Sequence, residues 1–359
     1  MPAVTTADGP VAVTGASGFI GAHTVIALLK RGYDVRGCVT DISNTTKTEF
    51  LLALNEEHPG NLTLHQANLL EEDSYDDVFA GCSAVLHVGT PMGYGGANNP
   101  VEVYEGAIGG IHNIVNSVKK AGTVKRLVYT SSFAAIHNKR PPGYIFTEAD
   151  WASDNRENDD NWNTDNLKDK GEVGYAMAKV ECERTVYRLA EEDGSFDAIS
   201  ICPIVVLGPL LSPVHECVGS WQFHLGRTLA GETNQRSWQT LWNIVDVRDC
   251  GEVQALIIES DVCKNGARYQ MSATDESGEI SVKQLHEHLQ GLFPDIEVGG
   301  PPPEFDTMIE KYGAPYNSPL AHLDKAREEL GLKTHAVEDT LRTTGETMIA
   351  LGLVETKPK

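Results

Sequence analysis

Tyr175 and Lys179 stand four residues apart in the stretch YAMAK. On a helix that spacing puts both side chains on one face, one turn apart. Such a pair can do acid–base chemistry at an oxygen. A free tyrosine titrates near ~10 and exchanges protons poorly at neutral pH. A neighbouring ammonium favours the phenolate and is expected to lower that value. Thr130, Ser131 and Ser132 follow the apolar run RLVYT. A hydroxyl there can hold a carbonyl oxygen while the tyrosine supplies the proton, although a serine at a strand end can equally cap a turn.

A second group of residues suits phosphate. Thr14–His23 reads TGASGFIGAH, so Gly15, Gly18 and Gly21 fit G-x-x-G-x-x-G between a predicted strand and a predicted helix. The first glycine allows a tight turn, the second lets backbone approach a pyrophosphate, and the third lets the helix pack closely on the strand. The loop residues Ser17, Phe19 and Ile20 then present the N–H groups of a helix start to the phosphates. A dinucleotide with a cationic nicotinamide would act on Tyr175 in the same direction as Lys179. The end of the next strand offers Thr40, Asp41 and Lys47. An acidic residue there suits the ribose hydroxyls of NAD, and a basic one suits the extra phosphate of NADP. Thr40, Lys47 and Arg36 are available for a phosphate, while Asp41 would repel one, so the signal is mixed.

These groups need a scaffold that brings strand ends together. Apolar strands are predicted at Pro10–Thr14, Asp34–Val39, Leu62–Gln66, Ala84–Val88 and Arg126–Thr130. Helices are predicted at Gly21–Arg31, Phe50–Glu57, Tyr75–Ala80 and Val101–Ala121. The alternation implies an α/β fold, a Rossmann-type doubly wound parallel sheet covered on both faces. Ligands of such sheets bind at the carboxyl ends of the strands, where the glycine loop and Ser132 both fall. Residues 152–172 read as a polar surface loop. Beyond Pro209 the rhythm loosens. The expected organisation is mainly a dinucleotide-binding domain over 1–208, rejoined by 240–260, and mainly a smaller C-terminal substrate lobe from 209–239 and 261–359.

The chain has 359 residues, 29 Lys+Arg against 51 Asp+Glu, and a net charge of −22. That balance argues against nucleic acid and anionic membranes, which require clustered basic residues. The longest apolar stretch, Ile201–Leu211, is broken by Pro203, Gly208 and Pro209 and is too short to span a bilayer. Seven cysteines without C-x-x-C or metal-ligand spacing read as reduced, mostly buried thiols, and no metal is expected. His215, Glu216 and Cys217 are adjacent but lack the spacing of one helical face. MPAVTTADGP lacks the basic and apolar regions of a secretory signal, so a cytoplasmic location is expected.

Taken together, TGASGFIG, HVGTPM (His87–Met92), RLVYTSS, TEADW (Thr147–Trp151), YAMAK, ICPIVVLGPLL (Ile201–Leu211) and VDVRDCGEVQALIIE (Val245–Glu259) resemble an extended short-chain dehydrogenase/reductase. The resemblance is to the group of dihydroflavonol reductases, cinnamoyl-CoA reductases and fungal aldehyde/ketone reductases. It implies an NAD(P)H-dependent carbonyl reductase with Ser132 binding the carbonyl, Tyr175 as general acid and Lys179 holding the nicotinamide ribose. It further implies that Pro203, Ile204, Val205 and Val206 line the nicotinamide. Val88, Gly89 and Thr90 would run along the cofactor's bridge beside Thr130, and Asn68 and Leu69 would contact adenine. NADP(H) is slightly favoured by the resemblance, and NAD(H) stays open because Thr40 stands where the group often has arginine. His137 occupies a position that faces the flavonoid ring in plant dihydroflavonol reductases. Met92, Phe133 and Trp221 are further candidates for an apolar substrate pocket, or simply core. A sugar epimerase, a hydroxysteroid dehydrogenase and a non-enzymatic dinucleotide sensor are the alternatives on this fold. The expected partner is a small carbonyl or alcohol, with the chain a monomer or homodimer.

Overall fold

The computed structural model describes residues 2–89, 100–141, 143–154, 156, 160, 162–165, 171–233, 241–273, 279–312 and 320–359. The first half alternates as its apolar spacing demands: β1 (Val11–Thr14), α1 (Phe19–Lys30), β2 (Asp34–Val39), α2 (Thr45–Glu57), β3 (Asn61–Gln66), α3 (Asp76–Phe79), β4 (Ala84–His87), α4 (Pro100–Ala121) and β5 (Arg126–Thr130). The short β6 (Ile145–Phe146) precedes α5 (Gly171–Asp193) and β7 (Asp197–Pro203). The rest comprises β8 (Val205–Leu207), α6 (Trp221–Leu229), β9 (Trp242–Asp246), α7 (Val247–Glu259), β10 (Arg268–Met271), β11 (Glu279–Ile280), α8 (Val282–Leu292), α9 (Phe305–Tyr312), β12 (Leu320–Ala321), α10 (Asp324–Leu330) and α11 (Val337–Ala350).

Among the described residues, seven strands form one parallel sheet in the order β10-β7-β5-β4-β1-β2-β3. The order reverses between β1 and β4, where crossovers leave to opposite faces and a crevice opens. One face is covered by α1, α2, α7 and α10, whose Val25, Leu28, Leu51, Val253 and Ala326 share a core with β1 and β2. The other is covered by α3, α4 and α5, through Phe79, Ile111, Ile114, Val115 and Val186. Strands buried on both faces read as continuous apolar runs, which is why VAVT and RLVYT are buried throughout. The α/β class and the doubly wound sheet are as expected.

The chain leaves this sheet between Pro203 and Ile204. Ile204 N donates to the Met271 carbonyl, and the next residues enter a smaller sheet, β11-β9-β8. There β8 and β9 are parallel, and β9 and β11 antiparallel. That sheet packs with α6, α8 and α11 around Trp242, Leu225, Leu285 and Leu341. The division by sequence needs one correction. From its place in the chain Arg268–Met271 belongs with the smaller lobe, yet it forms the edge strand β10 of the large sheet, with Arg268 opposite Ser200. The reason is burial: all four residues are covered, and they close an edge of β7 that would otherwise stand open. Within 240–260, α7 lies against α1 while β9 belongs to the small sheet.

Candidate active site

The loop between β1 and α1 is shaped by what its glycines permit. Gly15 has φ +66°, and a Cβ on it would lie 2.6 Å from Gly89 Cα. A Cβ on Gly21 would lie 2.1 Å from the Gly15 carbonyl oxygen. Only glycine therefore lets α1 begin so close to the loop and lets the β1 and β4 ends touch. At Gly18 a Cβ would meet only the Gly15 oxygen, at 3.3 Å, leaving the outer side of the turn accessible. Gly18 is the N-cap of α1 and makes no side-chain cap, whereas Asp246 caps α7 and Ser281 caps α8. The first N–H groups of α1 thus meet an anion with the helix dipole behind them. This cradle fits the pyrophosphate of a dinucleotide, with Ser17, Phe19 and Ile20 half-buried along it. Gly89 N donates to the Thr14 carbonyl at 3.2 Å, and Val88 is half-buried beside it. Thr90 and Met92 lie outside the described residues, as do residues 155, 157–159, 161 and 166–170 of the polar loop 152–172.

At the other end of the crevice, Thr40 and Asp41 are exposed and Lys47 is half-buried in the first turn of α2. Asp41 Oδ1 accepts from Ser43 Oγ at 2.6 Å and from Ser43 N at 2.9 Å. Those bonds hold its carboxyl below the ordinary value. Arg36 does not join this group. Its Nη1 donates to the carbonyls of Val78 and Ala80, both at 2.8 Å, so it caps the end of α3 instead of awaiting a phosphate. The Asn68 side chain is engaged locally, donating to Glu71 Oε1 at 2.8 Å and accepting from Leu70 N at 3.1 Å. Leu69 packs over Gly110 of α4, where a Cβ would lie 2.4 Å from its Cγ.

The reactive side chains meet at the ends of β5 and β7. Ser132 has extended backbone (φ −158°, ψ 155°) and begins a short 3-10 turn, Phe133–Ala135. Its Oγ accepts from Ala134 N at 3.1 Å. It is therefore a cap, and its hydroxyl is near enough to Tyr175 to favour the phenolate slightly. Tyr175 is half-buried, one turn before the buried Lys179 on α5. Lys179 Nζ donates to the Thr130 carbonyl at 3.0 Å. It lies 5.2 Å from the ring centre of Tyr129 and 5.8 Å from that of Tyr175. The ammonium thus sits between a carbonyl and two aromatic rings, which favour a cation.

The electrostatics differ from the sequence expectation in one respect. Burial raises the Tyr175 phenol to about 12, and its bond with Ser132 offsets only part of that. Lys179 is itself lowered to about 8 by burial, against the pull of nearby groups that include Glu183. Within the chain, then, burial dominates at Tyr175 and favours the neutral phenol. His87, lowered to about 3 by burial and by Lys179, is neutral. Its Nδ1 lies 2.7 Å from Thr14 Oγ1, tying the ends of β4 and β1.

Pro203 and Val205 are buried and Ile204 and Val206 half-buried where β7 passes into β8. The Thr130 hydroxyl is turned to Gln254 Oε1 at 3.4 Å, leaving its carbonyl for Lys179. Phe133 is buried, with its ring edge-on to Phe146 at 5.7 Å. His137 is exposed and lies 6.1 Å from the Phe133 ring. Trp221 opens α6 and packs on Trp242 at 5.1 Å. Cys202 is buried, and all seven cysteines are free. Among the described residues no group of His, Cys, Asp or Glu is placed to hold a metal ion, and no helix is long and apolar enough to cross a membrane.

Two residues beneath the site escaped the sequence reading: Glu183 and Arg268, a fully buried ion pair with Nε–Oε1 2.6 Å. The available signal was the spacing of four that continues from Tyr175 and Lys179 to Glu183 and Tyr187.

Comparison with known proteins gives the same picture. The sequence profile described as NAD dependent epimerase/dehydratase family matches residues 11–271. A dihydroflavonol 4-reductase of Hordeum vulgare is 38% identical over 209 residues, 57% of this chain and 55% of that protein. The alignment thus spans about half the length of such relatives. Tetraketide alpha-pyrone reductase 1 of Arabidopsis thaliana is 28% identical over 352 residues, 98% of each chain. Among solved structures, Gre2 of Candida albicans in complex with NADPH superposes with a TM-score of 0.76. It shares 22% identity over 95% of this chain and 99% of its own, a likeness of fold.

Proposed function

Because the chain belongs to the NAD-dependent epimerase/dehydratase family, we propose that it is an NADPH-dependent reductase of ketones or aldehydes, with Tyr175 as proton donor. The observation that carries this reading is geometric: Lys179, held by the Thr130 carbonyl, lies 5.8 Å from the Tyr175 ring centre, beside the strand end that carries Ser132 and on the same sheet edge as the glycine cradle. Relatives named as reductases of a dihydroflavonol and of a tetraketide pyrone support it.

A bound NADPH would supply hydride from C4 of its nicotinamide. The chain does the rest. Gly15, Gly18 and the first turn of α1 hold the pyrophosphate, and Pro203–Val206 give the nicotinamide an apolar wall. Ser132 and Tyr175 take the carbonyl oxygen in a pair of hydrogen bonds, and Tyr175 releases its proton to that oxygen as negative charge grows there. Lys179, fixed by the Thr130 carbonyl, places its positive charge beside the phenolate that remains. Lys47 and Thr40 favour the 2′-phosphate of NADPH, and Asp41, kept ionised by Ser43, opposes it. The smaller lobe, 209–239 with most of 261–359, selects the substrate.

The test is initial rates of NADPH and NADH oxidation with aryl ketones, diketones, aldehydes and a dihydroflavonol. Turnover with preference for NADPH is expected. Tight dinucleotide binding with no net oxidation on any of them would replace this reading with an epimerase or a sensor.

A further inference from the structure

Tyr175, Lys179, Glu183 and Tyr187 form a stripe along α5, each one turn from the next and all facing the sheet. Its upper half does chemistry in the reading above. Its lower half is a polar cluster inside the core. Glu183 is fully buried. Its Oε2 accepts from Ser131 Oγ at 2.6 Å, and its Oε1 accepts from Tyr187 OH at 2.9 Å and from Arg268 Nε at 2.6 Å. Arg268 Nη1 goes on to the carbonyls of Glu148 and Asp150, at 3.0 and 2.7 Å, and its guanidinium lies 3.8 Å from the Trp151 ring centre.

An ion pair in such a place is a weak source of stability, because desolvating two charges offsets most of their attraction. Its geometry shows another use. Thr130 and Ser131 are consecutive at the end of β5. The first holds Lys179 through its carbonyl, and the second holds Glu183 through its hydroxyl. Two consecutive residues of a strand therefore grip two consecutive turns of a helix, which fixes the rotation and height of α5 against the sheet. Ser131 N donates to Ile201 O at 2.8 Å, and Ser132 follows it directly. The same grip therefore fixes the height at which Tyr175, two turns before Glu183 on α5, stands beside Ser132.

We propose that Glu183 is a positioning residue for the reaction: with Arg268 as counter-ion it anchors Ser131, and so aligns Ser132 with Tyr175. The proposal rests on the reductase reading. It is tested with full-length Ser131→Ala, Glu183→Gln, the double variant and Tyr175→Phe. The carbonyl is whichever of the panel wild type reduces fastest, and NADPH affinity is read by fluorescence titration. Ser131→Ala, which leaves the buried ion pair intact, lowers kcat about tenfold while KM and the NADPH Kd stay within about twofold, the signature of lost alignment rather than lost binding. Glu183→Gln lowers kcat at least as far, and the double variant no further than Glu183→Gln alone, since the two act through one link. If Glu183→Gln does not fold, Ser131→Ala decides. Wild-type kcat in Ser131→Ala, or a parallel fall of kcat, NADPH affinity and Tm, overturns the proposal. With Tyr175→Phe inactive, that result leaves the reductase reading standing. An active Tyr175→Phe, or a wild type that reduces nothing, removes both.

Discussion

The two ends of the dinucleotide crevice are built on different principles. At the candidate reactive end, Lys179, Thr130 and Ser131 are buried, and Ser132 and Tyr175 are half-buried. At the adenosine end, Thr40 and Asp41 are exposed, and the Asp41 carboxyl accepts from its neighbour Ser43. The low dielectric of the first end decides protonation states: it keeps Tyr175 neutral and moves Lys179 to about 8. Water and salt screen charges at the second. In the proposed function, chemistry is fixed where water is excluded, and coenzyme preference is adjusted where it is not. Substitutions should therefore act by orders of magnitude at one end and by small factors at the other.

The largest effect is predicted for Tyr175→Phe, which removes the proton donor and keeps the ring. The kcat should fall about 10²- to 10⁴-fold, with NADPH affinity within a few-fold of wild type. Steady-state rates beside a fluorescence titration check this; more than a tenth of wild-type kcat would mean that the proton comes from elsewhere.

Next comes Gly21→Ala. The added methyl meets the Gly15 carbonyl at 2.1 Å, backbone against backbone, so α1 must shift. A loss of about tenfold or more in NADPH affinity is predicted, with strain of about 1–3 kcal/mol that lowers Tm. A variant that binds NADPH like wild type would show that the cradle does not hold the phosphates.

The pH dependence follows from Lys179. Its charge is lost as pH rises through about 8, so kcat/KM for NADPH, which reports the free enzyme, should fall about tenfold per pH unit above that. For stability the sign is opposite. Between about 8 and the ordinary 10.5 the unfolded chain keeps a proton that the folded chain has released, so this group's contribution improves as pH rises. Any stability advantage of Lys179→Met over wild type should accordingly shrink from pH 8 to pH 10 in thermal melts. Tyr175 acts the other way from about pH 10 upward, because only the unfolded chain ionises there.

The smallest effect belongs to the wet end. Lys47→Ala should raise KM for NADPH about threefold at low salt and leave NADH unchanged, with the difference fading at high salt. An effect of a hundredfold would mean that this end is as dry as the other.

Much of the molecule could be read from residue order. Alternating apolar runs implied a doubly wound sheet, because strands covered on both faces have no polar side to show. The glycine spacing implied a cradle, because a positive φ and a Cβ-free approach leave few other choices at Gly15 and Gly21. The spacing of four put Tyr175 and Lys179 on one helical face without any tertiary information.

What the order of residues left undecided depends on partners distant in the chain. Arg268–Met271 closes the large sheet because β7, some 70 residues earlier, presents an open edge to it. Arg36 faces the ribose end by sequence, but the carbonyls of α3 claim it. Ser131 and Ser132 are identical letters. Only the folded chain sends the hydroxyl of Ser131 to the buried Glu183 and that of Ser132 to the backbone N–H of Ala134. The protonation of Tyr175 is likewise a tertiary property. Spacing brings an ammonium near the phenol, but only packing sets how much water remains between them, and desolvation is the larger effect. Local spacing determined which groups could meet. The folded surroundings decided which atoms face each other, and in what dielectric, because both are set by residues far apart in the chain.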